Sequence, residues 1–475
     1  MLRLICLLGL FVLSGAQAAE RHVILVTIDG FPGRTLEDKK AHIPNIRALE
    51  AEGASARGMK VSTPSVTWPN HTTLITGVHP RKHTVLFNGV LAHGSAPPVA
   101  PVNRPNGLDP LIRKYDADNL PVGSMQARVD PNATAAELVA VPTLFDVFHA
   151  AGLKTAGVNW PCTRSSKSLD DDLPDSPNTL NFTTPRLRSE LAAAGILASE
   201  QQSDFASLGQ PQRDDVWTKT ACYLVKNRMP HFMAFHLLNT DSTHHKYGSE
   251  TMAGYTALAM ADRFVGDLVA AVNASGKRAQ TTFIITSDHG FATATNLIQP
   301  NVAFRQAGLL DLTNGNVIAS ARAQCISVGG SGLIYLNNPA TRDADRKRAV
   351  EILSGLEGVG EVIGAERFAE IGIPDAGKNG SPHLVLRPRI GYGVGGAASG
   401  DATVIPITPA LSSGYHGYIA DEPLMDALFV ASGSGIKKGA RLEQTENIHV
   451  APTIARLLGV EFPSADGKPI REILD

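Results

Sequence analysis

Three apolar, strand-like runs in this chain each stop at an aspartate, and two of those aspartates bring a histidine with them. HVILVTI (22 to 28) ends at Asp29-Gly30, HFMAFHLL (231 to 238) runs into Asp241 with His245 four residues on, and TTFIITS (281 to 287) ends at Asp288-His289-Gly290. Continuous apolar runs of this length suit strands buried on both faces of a parallel sheet. Ligands collect outside the carboxyl ends of such strands. Three acids and two histidines can therefore converge on one crevice, an address for two divalent metal ions.

Helical patterns alternate with these runs. IPNIRALEAEG (43 to 53) has apolar residues at helical spacing and ends on Gly53, PTLFDVFHAAG (142 to 152) precedes TAGVNW, and ADRFVGDLVAAV (261 to 272) precedes TTFIITS. This alternation predicts an α/β fold with a mostly parallel, doubly wound sheet flanked by helices. Residues 89 to 140, rich in Pro, Gly, Ala and Asn, read as a long surface excursion near the crevice. From residue 301 the texture changes, with GLIYLNN, the helix-like RDADRKRAVEILSGL, VGEVIGA and PHLVLRP in turn. That order predicts a small α+β cap inserted at 301–404 between two parts of one catalytic α/β domain, 19–300 and 405–475. The second part holds LMDALFVASG and closes on the helix IHVAPTIARLLG.

The first eighteen residues have a secretory pattern: Arg3, the short apolar stretch Leu4 to Leu13, and the small-residue site Ala16-Gln17-Ala18. About ten apolar residues fall short of the ~20 that span a bilayer. Cleavage after residue 18 leaves no membrane span and an exported protein, periplasmic or extracellular. The chain is 43% hydrophobic and 19% charged with a formal net charge of -2, a balance without the field that would recruit a stable nucleic-acid partner or a membrane surface. Cys162, Cys222 and Cys325 allow at most one disulfide in the mature chain, and their spacing suits no cysteine zinc site. Nothing in the sequence specifies an oligomeric state.

A second anchor is the segment Thr63-Pro-Ser-Val-Thr67-Trp-Pro-Asn-His71. Pro69 suits the first turn of a helix, which puts Thr67 at the helix N-terminus, where backbone N–H groups favour an anion. Its hydroxyl is either a nucleophile needing activation by a metal or a plain helix cap. Asn88, in HTVLFNGV, is half of an Asn-Gly pair between apolar residues, a strong hairpin-turn signal. His416 lies in a glycine-flanked loop, Gly414-Tyr415-His416-Gly417-Tyr418. His71 reads as a structural hydrogen-bonding residue, and His244 and Lys246 as exposed or supporting residues beside His245.

The order Asp29, Thr67, Asp241-x-x-x-His245, Asp288-His289-Gly290 and Gly414-x-His416-Gly417 resembles the alkaline phosphatase superfamily, most closely its nucleotide pyrophosphatase/phosphodiesterase (type I phosphodiesterase) branch. The resemblance runs from the first strand to the PTIARLLG helix. It implies an alkaline phosphatase-like fold and two Zn2+ ions, other divalent metals also suiting the donors. One ion would be held by Asp241, His245 and His416, the other by Asp29, Asp288 and His289 with Thr67. It implies hydrolysis of phosphodiester or phosphoanhydride bonds through a covalent phosphothreonine, with Asn88 binding a phosphate oxygen. A small phosphodiester or nucleotide is the implied substrate, with Trp68 and Trp160 as aromatic walls for its flat group. The stretch Phe235-His236-Leu237-Leu238-Asn239-Thr240 departs from the family, which often carries Tyr, acidic residues and Pro there; the departure bears on nucleotide specificity. A sulfatase signature is absent at Thr67. A phosphomonoesterase or a phosphonoacetate-like phosphonate hydrolase shares the scaffold, and a non-catalytic zinc-binding protein is the reading from a different class.

Overall fold

The computed structural model describes residues 21–93, 125–128, 133–175, 178–313, 317–408 and 412–475. The secretory segment and most of the excursion expected over 89–140 lie outside them. Within that excursion a strand at Val90–His93 pairs with one at Met125–Arg128. Asn88-Gly89 precedes this pair instead of joining its strands, so the hairpin alternative for Asn88 is set aside.

The central sheet has eight strands in the order Arg441–Glu446, Ala54–Lys60, Ala427–Gly433, Thr281–Thr286, His22–Ile28, Phe232–Leu237, Thr155–Val158 and Asp171–Leu173. Ala427–Gly433 runs antiparallel to both neighbours, and the remaining pairs are parallel. The three runs that end in aspartates are the adjacent strands at its centre. Thr27 pairs with Thr286 on one side and His236 on the other, so the three strands reach their carboxyl ends at one level.

Both faces of this trio are buried. Alternation along each strand sends Ile24, Val26, Met233, Phe235, Phe283 and Ile285 to one face, under the long helices Gln210–Asn227 and Met252–Ala274. Val23, Leu25, Phe232, Ala234 and Ile284 go to the other, where Leu74, Ile75 and Ile454 cover them from the helices Thr67–Thr76 and Val450–Leu457. Two layers of helix around the sheet thus explain why these strands read as unbroken apolar runs.

Within 301–404, Ala323–Ser327, Gly332–Leu336, Leu384–Pro388 and Val359–Gly364 form an antiparallel sheet that shares no strand with the central one. Ala349 and Leu353 of the helix Arg342–Ser354 join its core with Ile334, Leu336 and Leu386. Cys162, Cys222 and Cys325 are not joined to one another. No helix among the described residues is long and apolar enough to cross a membrane.

Candidate metal centre and nucleophile

Each functional side chain is carried just past a strand of the central trio or on a loop folded over it. Asp29 and Asp288 follow their strands directly. Asp241 and His245 lie one turn apart on the helix Asn239–Tyr247, so both face the crevice. That helix lacks a cap of its own; Asp214, from the neighbouring helix, accepts the N–H groups of Leu238 and Asn239 at 2.9 and 3.1 Å. The His416 loop is stitched to the segment before Thr67: Ser65 O accepts from His416 Nδ1 at 2.8 Å and from Gly417 N at 2.9 Å. Gly417 has φ +89, and a Cβ there would come within 1.8 Å of Val328 O, which is why a glycine follows the histidine.

The ligand atoms of Asp29, Asp288 and His289 lie within 4.8 Å of one another, as do those of Asp241, His289 and His416. His245 Nε2 completes the second group, 3.4 Å from Asp241 Oδ1 and 3.0 Å from His416 Nε2. His416 Nε2 is 3.5 Å from Asp241 Oδ1. In the first group His289 Nε2 is 3.4 Å from Asp29 Oδ1 and 3.2 Å from Asp288 Oδ2. Donors about 2.0–2.2 Å from a tetrahedral zinc are separated by roughly 3.3–3.5 Å, close to these edges.

The proton positions point the same way. Nδ1 of His245, His289 and His416 each faces a backbone carbonyl, of Gly414, Gly290 and Ser65 respectively, at 3.0, 3.1 and 2.8 Å. A carbonyl only accepts, so each ring carries its proton on Nδ1 and turns the Nε2 lone pair inward. Asp29 Oδ1, Asp241 Oδ1, Asp288 Oδ2 and His289 Nε2 are buried with no hydrogen-bond partner among the described residues. Leaving such atoms unpaired costs about 1–3 kcal/mol each, and inward lone pairs at these separations repel. Burial, then the charges of Asp288 and Asp241, hold the Asp29 carboxyl well above its usual range. Burial likewise raises Asp241 to about 6 and keeps His289 and His416 neutral, well below the usual histidine value. Cations are the groups that would relieve all of this at once. The Asp29, Asp288 and His289 side chains are 0% exposed, whereas His245 is 33% exposed.

Thr67 is the first residue of its helix. His71, one turn on, donates from Nδ1 to Thr67 O at 2.9 Å, accepts from the Thr27 hydroxyl at Nε2, 2.8 Å away, and sits 3.6 Å from Asp288 Oδ2. Thr67 is thereby tied on one side to the Asp288 group and, through Ser65, to His416 on the other. The structural role expected of His71 matches these contacts. Asn88 is exposed, and its Oδ1 accepts the Trp68 N–H at 2.8 Å. Trp68 is 5% exposed, its ring beneath the Arg164 guanidinium at 5.6 Å and its indole N–H bonded to Asp175, which pairs with Arg164 at 2.8 Å.

Trp160 does not form the wall expected of it. It is 0% exposed and packs edge-on against His71, centroids 4.8 Å apart, so it fills the core beneath the site and presents no surface to a ligand. His244 is buried, its Nδ1 donating to Gly30 O at 3.1 Å. Sequence reasoning missed His236, whose Nε2 lies 3.0 Å from Asp29 Oδ2, and Asp214; a lone histidine inside an apolar strand is the signal that marked the former.

Comparison with known proteins identifies the family of the chain. Residues 23–418 match the type I phosphodiesterase / nucleotide pyrophosphatase family. Human ectonucleotide pyrophosphatase/phosphodiesterase family member 7 is 23% identical over 462 residues, covering 95% of this chain and 83% of the relative. The rat member 7 is 22% identical over 468 residues, covering 95% and 87%. The structure of human ectonucleotide pyrophosphatase/phosphodiesterase 5 superimposes with a TM-score of 0.67 at 15% identity, covering 96% of this chain and 100% of that one. An inactive variant of the murine protein in complex with AMP superimposes with a TM-score of 0.67 at 14% identity over the same shares. The fold is alkaline phosphatase-like, and the chain belongs to the type I phosphodiesterase / nucleotide pyrophosphatase family of hydrolases.

Proposed function

We propose that the protein is an exported phosphodiesterase that binds two divalent cations, zinc foremost, and cleaves a small phosphodiester or nucleotide through a phosphothreonine at Thr67. Asp241, His245 and His416 would hold one ion and Asp29, Asp288 and His289 the other, with residues 301–404 as a cap beside them. The observation that carries this reading is the set of buried, unpaired carboxylate oxygens and inward-facing Nε2 atoms next to the first residue of the Thr67 helix. Imidazole with carboxylate suits zinc, and ions held there supply Lewis acidity that favours the ionised hydroxyl and offsets the charge of the phosphoryl group.

Thr67 Oγ1 attacks phosphorus, the bond to the leaving oxygen breaks, and water then hydrolyses the phosphothreonine to restore the hydroxyl. Asn88 contributes through its amide NH2, because its Oδ1 is engaged by Trp68 N–H; the NH2 is the end left to donate to a non-bridging phosphate oxygen. His71 keeps Thr67 and the Asp288 group in register. A relative in complex with AMP supports a nucleotide as one substrate class, with Trp68 the remaining aromatic beside the nucleophile.

Turnover of bis-p-nitrophenyl phosphate, p-nitrophenyl phosphate, phosphonoacetate and a thymidine nucleotide ester by the zinc-loaded protein tests this. The expected result is the highest kcat/KM on a diester, with loss of turnover on adding EDTA. A preference for either monoester or phosphonate overturns the substrate class, and turnover unaffected by chelation overturns the metal reading.

A further inference from the structure

His236 stands in the strand Phe232–Leu237, 2% exposed, where its neighbours are apolar core residues. Its Nε2 is 3.0 Å from Asp29 Oδ2, the oxygen of Asp29 that faces away from His289. At the other end of the ring, Asn159 Nδ2 donates to the His236 carbonyl at 3.1 Å and lies 3.3 Å from His236 Nδ1. The carbonyl settles which end of the Asn159 amide carries hydrogens, and the second of them is free to reach Nδ1. Asn159 holds φ +55, a left-handed backbone that asparagine tolerates better than most residues.

Two proton placements are open to a neutral ring here. With the proton on Nδ1, it would donate to Asn159 O at 3.1 Å, and the Nε2 lone pair would then face an Asp29 oxygen. An ionised Asp29 has only lone pairs to offer, so that arrangement is repulsive when the carboxylate serves as a metal ligand. With the proton on Nε2, the ring donates to Asp29 Oδ2 while Nδ1 accepts from Asn159 Nδ2. That placement leaves two acceptors facing lone pairs, the Asn159 carbonyl 3.1 Å from Nδ1 and Asp29 Oδ1 3.4 Å from His289 Nε2, but the hydrogen bond it makes is to an ionised carboxylate, the stronger of the two on offer.

We infer that His236, oriented by Asn159, is a positioning residue that grips the outer oxygen of Asp29 and thereby aims the inner one at the metal. The inference rests on the two-metal reading above. Partners of this kind are typically worth ten- to hundredfold in metal affinity, because an unsupported carboxylate loses order that the ion must restore. The alternative is a purely space-filling role, since the ring also packs 4.2 Å from that of His71.

Metal content and chelator-competition affinities of the wild type, His236→Phe, His236→Gln and Asn159→Gly, together with melting of the metal-free proteins, separate the two. Wild type is expected to hold two zinc equivalents. His236→Phe, which keeps a ring and loses the donor, should keep one and weaken roughly ten- to hundredfold at the other. His236→Gln, which returns an N–H, should recover most of that loss, and Asn159→Gly should fall between. In the zinc-loaded wild type, nitrogen NMR should find the His236 proton on Nε2. The inference is overturned if His236→Phe binds both ions as tightly as wild type, or if the Phe and Gln variants weaken both sites alike and melt lower without metal. If His236→Phe does not fold, a proton found on Nδ1 in the loaded wild type overturns it equally. A wild type with fewer than two equivalents removes the two-metal reading itself, a result seen without any substitution.

Discussion

The side-chain oxygen of Asn88 caps the backbone N–H of Trp68, the residue immediately after Thr67. One amide thus serves the helix with its oxygen, and on the proposed function its nitrogen would serve a phosphate oxygen. Asn88→Ala should cost about 1 kcal/mol of stability, the usual worth of such a cap, and lower kcat/KM on a diester by about a hundredfold. Asn88→Asp keeps the acceptor and should melt like wild type, yet it should lose at least as much activity, because a charged oxygen replaces the donor. Wild-type kcat/KM in Asn88→Asp would refute the ligand role.

Thr67→Ala should bind both metal equivalents and turn over no diester, while Thr67→Ser retains measurable activity because a hydroxyl remains at the helix start. Metal analysis beside a turnover assay separates loss of nucleophile from loss of cations. Turnover by the alanine variant at the wild-type rate would exclude a phosphothreonine.

Stripping the metals should destabilise the fold as well as silence it. His245 and His416 bring their Nε2 lone pairs to 3.0 Å, and Asp29 Oδ1, Asp241 Oδ1 and Asp288 Oδ2 are buried with no hydrogen-bond partner among the described residues. Ions that bind only the folded chain add about 4 kcal/mol at a concentration a thousandfold above Kd. Calorimetry in EDTA against excess zinc should show a clear drop in Tm that added zinc reverses; equal melting points would contradict the cage.

Gly417→Ala and Gly439→Ala form a matched pair. Both glycines have positive φ, +89 and +80, but an added Cβ meets Val328 O at 1.8 Å in the first and nothing within 4 Å in the second. Gly439→Ala should lose only about 1–2 kcal/mol for its left-handed backbone. Gly417→Ala should lose more and also weaken zinc at His416, since the loop must move. Equal melting and metal affinity in the two variants would remove the argument that crowding sets the position of His416.

The strands leading to Asp29, Asp241 and Asp288 were legible because burial on both faces erases the polar alternation that would otherwise blur a strand, and Pro69 announced the helix of Thr67. What spacing cannot reveal is which distant groups meet. His236 and Asp29 are separated by 207 positions, and a histidine in an apolar strand carries no mark of its partner. Trp160 follows a recognisable strand, but whether its ring meets solvent or core depends on the helix packed over it, here through His71. Asp214 resembles an ordinary acid near the start of its own helix, whereas its carboxylate terminates a different one.

Asp214 also predicts a pH dependence. Burial raises its pKa to about 7, the N–H groups of Leu238 and Asn239 opposing the shift. Between the unfolded value near 4 and about 7, the folded state holds a proton that the unfolded state has lost. The stability from this group is therefore complete below about pH 4 and drains away as pH rises to 7. In metal-free protein, Asp214→Asn should close its stability deficit against wild type, or overtake it, between pH 4 and 8. A deficit that stays constant across that range would refute the assignment.

Solvent reaches His245 but not Asp29, Asp288 or His289. On the proposed two-metal reading, exchange at the two positions should therefore follow different clocks: a chelator would strip the outer ion quickly, and the inner one would wait for the chain to open. A protein soaked in a second metal would pass through a hybrid loaded with one ion of each kind, and the history of loading would be written into its composition.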